Sequence, residues 1–202
     1  IDVIGYPIKE YEKIDLKLDL PTEFNFLTIA QVSPRKNISA TVRSFINEFK
    51  DDDRVGLVMK INKVNDSLMD RHTVTQEIKN IIKTENLGDI KCKIYILHGP
   101  MSEQEIHSLY KQENIHAYIT TTHGEGYGLP IFEAAYSGLP VMAPAWSGHI
   151  DFLYMPEENK VSKKVKKVPM FTKIRYKLDH VQEEALVENM IIPESKWSFV
   201  DI

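Results

Sequence analysis

The sequence predicts an α/β fold in which helices cover both faces of a parallel sheet, giving three layers. The first observation is alternation: short runs rich in β-branched and aromatic residues are followed by segments whose apolar residues recur at helical spacing. The second is a glycine-rich junction between the fourth predicted strand and the helix after it. Strands that alternate with helices pair in parallel through right-handed crossovers. We expect this domain to occupy residues 24–153.

Five strands are predicted from runs of β-branched and aromatic residues. They cover residues 24–30, 55–61, 93–97, 115–121 and 140–143. The last of them is short and begins at a proline. Such runs of four to eight residues are typical of strands that are buried in a parallel sheet.

The helices are predicted from apolar spacing and from residues typical of helix ends. Asn37 is the expected N-cap of the first helix. A Ser102–Glu105 pair has the spacing of a capping box and predicts the start of the third. The apolar positions of the first three helices are Ile38, Val42, Phe45, Ile46 and Phe49, then Val74, Ile78, Ile81 and Ile82, then Ile106, Leu109 and Tyr110. Residues 147–152 predict a final turn or short helix.

The glycine-rich junction is the segment His123–Glu133, which contains three glycines at alternate positions. We expect Pro130 at the first helical position, because its missing N–H would have no helical partner there. Gly138 suits the helix exit. This places Glu133 in the first helical turn and Glu125 in the preceding loop, with both carboxylates facing one crevice. Ligands bind at the carboxyl ends of parallel strands, and a helix N-terminus there suits a phosphate.

Composition excludes several other functional classes. The net charge of −4 gives no reason to expect nucleic-acid binding. The single cysteine excludes an intrachain disulfide and fits a reducing, cytoplasmic compartment. The sequence has no apolar run long enough to span a bilayer and no signal peptide at its start. Because it begins without methionine and in mid-pattern, we expect a fragment of a longer protein.

Both flanks of the predicted domain are different in character. Residues 1–23 carry mixed charges and two prolines, and we expect a linker or strap across the surface, leading from a missing N-terminal domain. Residues 154–202 form a basic appendage that is expected to return to the domain. Its basic residues are Lys160, Lys163, Lys164, Lys166, Lys167, Lys173, Arg175 and Lys177. They indicate either a solvated face balanced by nearby acids or a surface that attracts anionic lipid or an acidic ligand.

Several of these motifs occur together in one family. The motifs are Glu125-Gly126-Tyr127-Gly128-Leu129-Pro130 with Glu133, then Ala134-Ala135, Gly138, Pro140-Val141 and Ser147-Gly148, and the basic loop Pro34-Arg35-Lys36-Asn37. This combination resembles the C-terminal half of a GT-B glycosyltransferase of the group 1 set, family GT4, with its E-x7-E motif. The resemblance covers residues 24–153 and implies a Rossmann-like domain, one half of a GT-B fold.

The resemblance also implies a role for each motif in binding a nucleotide-diphosphate sugar. Glu133 would bind the ribose hydroxyls, and Glu125 would act at the catalytic centre by accepting hydrogen bonds from the donor sugar. Two further groups of residues are assigned by the resemblance. The diphosphate would be bound by Lys36, Arg35, Gly126, Tyr127, Gly128 and Leu129. The base would be bordered by Gly99, Pro100 and Met101. For His123 a pocket contact and a structural hydrogen bond both remain open.

The resemblance implies that the donor is the substrate, with no further cofactor. No cluster of metal-ligating residues is evident in the sequence, which agrees with the metal independence usual in the family. The family transfers hexoses and typically retains the anomeric configuration. The acceptor, a glycan or a lipid-linked or other molecule, would be held by the missing N-terminal domain, and peripheral membrane contact is compatible with such acceptors. The fragment alone is therefore expected to be inactive in transfer.

The sequence departs from the family in two ways, the missing N-terminal domain and the Ala30-Gln31 pair, and it leaves four alternative functions. Ala30-Gln31 stands where the family often has Gly-Arg, which removes one expected phosphate contact. A related sugar-nucleotide epimerase, a phosphorylase and a non-catalytic nucleotide-binding module stay open, although no motif marks a lysine for pyridoxal phosphate. An oxidoreductase is disfavoured, because Gly124-x-Gly126-x-Gly128 lacks the G-x-G-x-x-G spacing and follows the fourth strand.

Overall fold

A six-stranded parallel sheet forms the centre of the chain. The computed structural model describes residues 6–84, 89–158, 163–187 and 191–202. Its strands are β1 (Phe24–Gln31), β2 (Val55–Asn62), β3 (Lys93–Leu97), β4 (Ala117–Ile119), β5 (Val141–Pro144), β6 (Tyr154–Glu158), β7 (Val165–Pro169), β8 (Thr172–Ile174), β9 (Tyr176–His180) and β10 (Lys196–Val200). The central sheet has the order β3-β2-β1-β4-β5-β8.

Helices connect the strands and cover the sheet. They are α1 (Ile38–Phe49), α2 (Leu68–Thr84), α3 (Glu103–Leu109), α4 (Leu129–Tyr136) and α5 (Ile150–Leu153). Neighbouring residues of a strand point to opposite faces of the sheet, so two consecutive residues pack into two different hydrophobic cores. Phe26 and Leu57 pack with α1 and α2, whereas Leu27 and Val58 pack with α3 and α4. The α/β class and the three-layer, Rossmann-like arrangement predicted from the sequence are confirmed.

The fourth strand is shorter than the run of residues that predicts it. The predicted strand covers residues 115–121, but only Ala117–Ile119 forms β4. Beyond Ile119 the threonine side chains make bonds outside the sheet: Thr121 Oγ1 lies 2.8 Å from Thr41 Oγ1 on α1, and Thr120 Oγ1 accepts a hydrogen bond from Thr122 N. The strand therefore ends early, and the chain turns towards the glycine-rich segment.

The described part of the chain from residue 154 onwards contains five short strands that were not predicted individually from the sequence. β6 and β7 form a separate antiparallel pair, β8 joins the edge of the central sheet, and β9 pairs with β10. Most of the basic side chains predicted here are exposed, including Lys166 and Lys167, while Lys160 lies outside the described residues. No helix of the described residues is both long and apolar enough to cross a membrane.

An extended segment, residues 6–20, runs along α3 and contains no helix or strand. Ile14 N donates to Ser108 Oγ, and Gln112 Nε2 donates back to the Ile14 carbonyl over 2.8 Å. Asn114 Nδ2 donates to the Leu18 carbonyl. Because these bonds join positions more than 90 residues apart in the chain, the segment is held by tertiary contacts rather than by local structure.

The loops that follow β2 and β3 are joined by a buried carboxylate. Asp70 accepts hydrogen bonds from the amides of Lys63 and Val64, and its Oδ2 lies 2.8 Å from His98 Nε2. The bond to His98 and those to the amides lower the pKa of Asp70 to about 2. Ionised Asp70 therefore fixes the position of the loop that leads to Gly99–Met101.

We predict that this carboxylate makes folding sensitive to acid. The folded-state pKa of Asp70 lies below that of an unfolded aspartate, so its contribution is complete above about pH 4. It is lost as the pH falls towards 2. Asp70→Asn should lower the Tm at pH 7 and flatten the dependence of Tm on pH between these limits, as followed by circular dichroism. The exposed Asp66→Asn is the control, and identical pH curves for wild type and Asp70→Asn would show that this contribution is absent.

Candidate functional site

The candidate site lies where the strand order reverses, between β1 and β4. At such a point the loops that leave the two strands diverge in opposite directions and open a crevice. Here the two loops are bonded to each other: His123 N donates to the Arg35 carbonyl over 2.8 Å, and Thr121 Oγ1 donates to the Asn37 carbonyl over 2.9 Å. The site is thus built on a fixed backbone at the centre of the sheet edge.

Asn37 stands at the N-cap position of α1 but does not act as predicted. Its backbone is left-handed, with φ of 49°, and its side chain makes no cap hydrogen bond. The side-chain amide donates instead to the Thr121 carbonyl over 3.1 Å. The residue therefore serves to join the loops after β1 and β4, and the expectation of side-chain capping is wrong.

Glu125 lies between two cations from the loop after β1. Its Oε1 is 2.6 Å from Lys36 Nζ, and its Oε2 is 2.8 Å from Arg35 Nη1. The Glu125 side chain is only 7% exposed. Burial acts to raise the pKa of this carboxyl group, but Lys36 and Arg35 outweigh burial, and the net pKa is lowered. Glu125 is therefore an ionised carboxylate with cations on both oxygens at neutral pH.

A turn after β5 fixes the backbone at Glu125. Ser147 Oγ accepts a hydrogen bond from Glu125 N over 3.0 Å and donates to the Glu125 carbonyl over 2.6 Å. Gly148 N donates to the same carbonyl, and a Cβ atom at Gly148 would lie 1.8 Å from the Gly126 carbonyl oxygen. Only glycine allows this approach. The Ser147-Gly148 motif thus has a physical role that the sequence did not reveal.

The helix after the loop begins one residue earlier than predicted. Gly128 is the N-cap of α4 with φ of 89°, a conformation that favours glycine. The first helical bonds run from Ile131 N and Phe132 N to the Gly128 carbonyl. Leu129 is the first helical residue and Pro130 the second, so Glu133 lies in the second turn, not the first. By helix geometry the amide of Leu129 has no intrahelical acceptor and suits an anion.

Glu133 lies in a cavity of about 560 Å³. Its Oε2 accepts a hydrogen bond from Tyr110 Oη over 3.1 Å, and its Oε1 is 3.9 Å from His107 Nε2. Burial raises the pKa of Glu133, while Tyr110 and His107 oppose that shift. His107 belongs to α3, and Tyr110 follows its last residue. No local sequence pattern pairs them with Glu133.

The two glutamates have separate surroundings. Among the described residues, the wall of the 560 Å³ cavity includes Glu133, Leu129 and Met101 but not Glu125. Glu125 instead faces Lys36 and Arg35. The two carboxylates thus have different neighbours, and the expectation that both face one crevice stays a prediction. The segment Gly126–Leu129 connects the two surroundings, because it runs from the loop into α4.

The three residues expected near a nucleobase lie in different positions. Met101 lines the cavity that contains Glu133. Gly99 lines a second cavity of about 290 Å³, which Met101 also borders, and the Gly99 carbonyl accepts a hydrogen bond from Lys60 Nζ over 2.5 Å. Pro100, between them, is exposed.

His123 packs against the C-terminal strand rather than towards Glu133. Its Nδ1 is 2.6 Å from the Ser198 carbonyl, and its ring stacks on Trp197 with centroids 4.7 Å apart. Burial lowers the pKa of His123. His123 also lines a third cavity, of about 420 Å³, on the α1–α2 side. The contacts support the structural reading of His123, through which β10 is joined to the glycine-rich segment.

The side chains that the structure describes form no candidate metal site. No group of three or more His, Cys, Asp or Glu residues there is arranged to hold a metal ion.

Comparison with solved structures identifies the fold. The chain has the fold of the C-terminal domain of a group 1, GT-B glycosyltransferase, as the resemblance in sequence predicted. One similar structure is the C-terminal domain of a group 1 glycosyltransferase, LpcC, from Francisella tularensis. It has a TM-score of 0.51 and 20% identity, over 69% of this chain and 67% of that one. No protein-family model matches the chain.

Two further relatives are much longer than this chain. A TarM mutant from S. aureus, in a structure that contains UDP, has a TM-score of 0.53 and 17% identity over 82% of this chain and 28% of TarM. The sucrose synthase of Melioribacter roseus is 24% identical over 154 residues, which are 75% of this chain but 18% of the synthase. The chain thus corresponds to only part of these enzymes.

We predict that the Glu125 ion pairs stabilise the loop to a measurable degree. Glu125→Gln should reduce the free energy of unfolding by about 1.5–3 kcal/mol, the usual range for a hydrogen bond to a charged group. Adding Lys36→Met should recover part of the loss, because an unpaired buried cation is then removed. Urea denaturation measures both.

The exposed Glu157→Gln on β6 is the matched control. If it costs as much as Glu125→Gln, the ion pairs contribute nothing specific to stability.

Proposed function

We propose that this chain is the donor-binding half of a glycosyltransferase and holds a nucleotide-diphosphate sugar at the crevice between β1 and β4. The observation that carries the proposal is the position of Glu125 between Arg35 and Lys36, beside the start of α4. Two cations, a helix N-terminus and two carboxylates suit a ligand with an anionic centre and hydroxyl groups at both ends.

The diphosphate binds Lys36 and Arg35 together with the amides of Gly126–Leu129. Negative charge gathers on the diphosphate as the glycosidic bond breaks, so cations and amides already in place lower the barrier. A diphosphate carries more charge than one carboxylate and competes with Glu125 for both cations. Glu125 then accepts hydrogen bonds from hydroxyls of the donor sugar.

Glu133 binds the ribose. Ionised carboxylate oxygens accept hydrogen bonds from two neighbouring hydroxyls, and Tyr110 holds one of those oxygens in position. The adjoining cavity is lined largely by apolar side chains, among them Met101 and Phe132, which suits a base. The ribose carboxylate and the diphosphate site are joined by Gly126–Leu129.

Transfer requires an acceptor domain outside these 202 residues. Residues 1–23 connect to that domain, residues 24–153 form the donor domain, and residues 154–202 are an appendage. Transfer of a hexosyl group proceeds with retention, without a metal ion, to a glycan or lipid-linked acceptor in the cytoplasm. This chain alone binds the donor and does not transfer it.

The basic β6–β7 pair gives peripheral contact with an anionic membrane. Lys163, Lys164, Lys166 and Lys167 are exposed, although Lys163 lies 3.6 Å from Glu158 and Lys166 is in register with Glu157. Attraction between such a surface and anionic lipid weakens with salt. Sedimentation with phosphatidylserine vesicles should fall as salt rises. Equal recovery with neutral vesicles would remove the membrane contact from the proposal.

We predict binding of one nucleoside diphosphate. Calorimetric titration with UDP, GDP, ADP and NAD should show binding of one diphosphate, which Glu133→Ala abolishes or weakens at least about tenfold, equivalent to about 1.4 kcal/mol. Lys36→Ala should weaken it less, because Arg35 and the amides remain. The reason is that Glu133 is the carboxylate in the nucleoside cavity, whereas the charge of Lys36 is shared.

Lys177→Ala, on exposed β9, is the control for loss of a positive charge. Tight binding of NAD without binding of any diphosphate would overturn the proposed function and favour an oxidoreductase.

A further inference from the structure

The cavity that contains Glu133 is closed on one side by the extended N-terminal segment. Its opposite wall comes from α3, α4 and the loop before α3. The segment contributes Tyr6, Pro7, Ile8, Lys9 and Tyr11. At about 560 Å³ the cavity falls within the range of small-molecule sites, roughly 300–1,000 Å³. Without this segment the region around Glu133 would be an open groove between two helices.

Specific contacts hold the segment against the helices. Lys9 Nζ is 2.6 Å from Glu103 Oε2, and Tyr11 Oη donates to the same oxygen. Tyr136 Oη donates to Glu10 over 2.7 Å. These bonds attach the segment to the start of α3 and to the end of α4. The wall is therefore anchored on both helices that carry the cavity's polar groups.

The two tyrosines of the wall have different neighbours. The Tyr6 ring stacks on Tyr127, with centroids 5.3 Å apart, and meets the edge of Phe132. The Tyr11 ring lies 4.9 Å from the ring of His107, which is itself 3.9 Å from Glu133 Oε1. Tyr6 thus belongs to an aromatic cluster beside the glycine-rich loop, whereas Tyr11 lies one side chain away from Glu133.

The position of Tyr11, one side chain away from Glu133, matches the distance between the ribose hydroxyls and the base of a nucleoside. A base is attached to the ribose carbon next to the one that bears the 2′-hydroxyl, so it lies within one side-chain length of a carboxylate that binds the ribose hydroxyls. An aromatic ring at that distance offers a flat apolar surface on which any nucleobase can stack.

We propose that residues Tyr6–Tyr11 form the outer wall of the nucleoside pocket and that Tyr11 contacts the nucleoside of the donor. This inference rests on the proposed function and extends it, because no residue before the predicted domain was assigned to the site. The diphosphate binds at Arg35, Lys36 and the glycine-rich loop, which Tyr6 supports by stacking on Tyr127. Tyr11 lies beside His107 instead, so its contribution is to the nucleoside.

The test compares a nucleoside diphosphate with inorganic pyrophosphate on the same variants. The diphosphate is the one of UDP, GDP and ADP that binds best to the wild type. Tyr11→Ala should weaken it about tenfold, the change that corresponds to 1.4 kcal/mol, and leave pyrophosphate unchanged. Tyr11→Phe keeps the ring and should retain wild-type affinity to within about twofold, or 0.4 kcal/mol. Lys13→Ala is the control, since Lys13 lies in the same segment but lines a different cavity.

Each outcome decides the inference. Unchanged affinity of Tyr11→Ala for the nucleoside diphosphate overturns it. An equal loss of affinity for the nucleoside diphosphate and for pyrophosphate overturns it too, because a general distortion of the site would weaken both ligands alike. If those results occur while Glu133→Ala still abolishes binding, only this inference fails. If the wild type binds no nucleoside diphosphate, the proposed function and the inference fail together.

Discussion

The site depends on one interaction, the Glu125 carboxylate held between Lys36 and Arg35. Together with the hydrogen bonds of His123, Thr121 and Asn37, it joins the loop after β1 to the loop after β4 at the point where the strand order reverses. Neutralisation by two cations allows a charged side chain that is only 7% exposed to remain ionised. The same cations are those that a diphosphate needs. Under the proposed function, the stability of this loop and the affinity for the diphosphate therefore depend on the same two cations.

Glu133 is controlled by different physics. Burial raises its pKa, and its nearest neighbours are a tyrosine hydroxyl and a histidine rather than a strong cation. Such a carboxylate suits neutral hydroxyl groups better than phosphate. In the proposed function, the cationic part of the site binds the diphosphate, and the acidic, partly apolar part binds the nucleoside and is closed by the N-terminal segment.

The fold was predictable because strands and helices have periods that are local in sequence. The β1–α1–β2 order followed from those periods alone. Residues that bond across the chain were not predictable in this way: Tyr110 meets Glu133 through packing of two helices, and Tyr11 reaches Glu103 from 92 positions away. Glu133 was placed one helical position early, and so in the first turn, because the left-handed conformation at Gly128, which starts the helix at Leu129, has no signal beyond glycine itself.

The central claim is that one ligand spans both halves of the site. Backbone amide NMR during titration with UDP, GDP or ADP tests it most directly. If a single ligand spans both halves, the amide signals of Lys36, Gly126–Leu129, Glu133 and Tyr11 all shift along one binding curve with one of these ligands. Shifts confined to the exposed lysines of β7, or different affinities for the Lys36 and Glu133 regions, would contradict a single donor site.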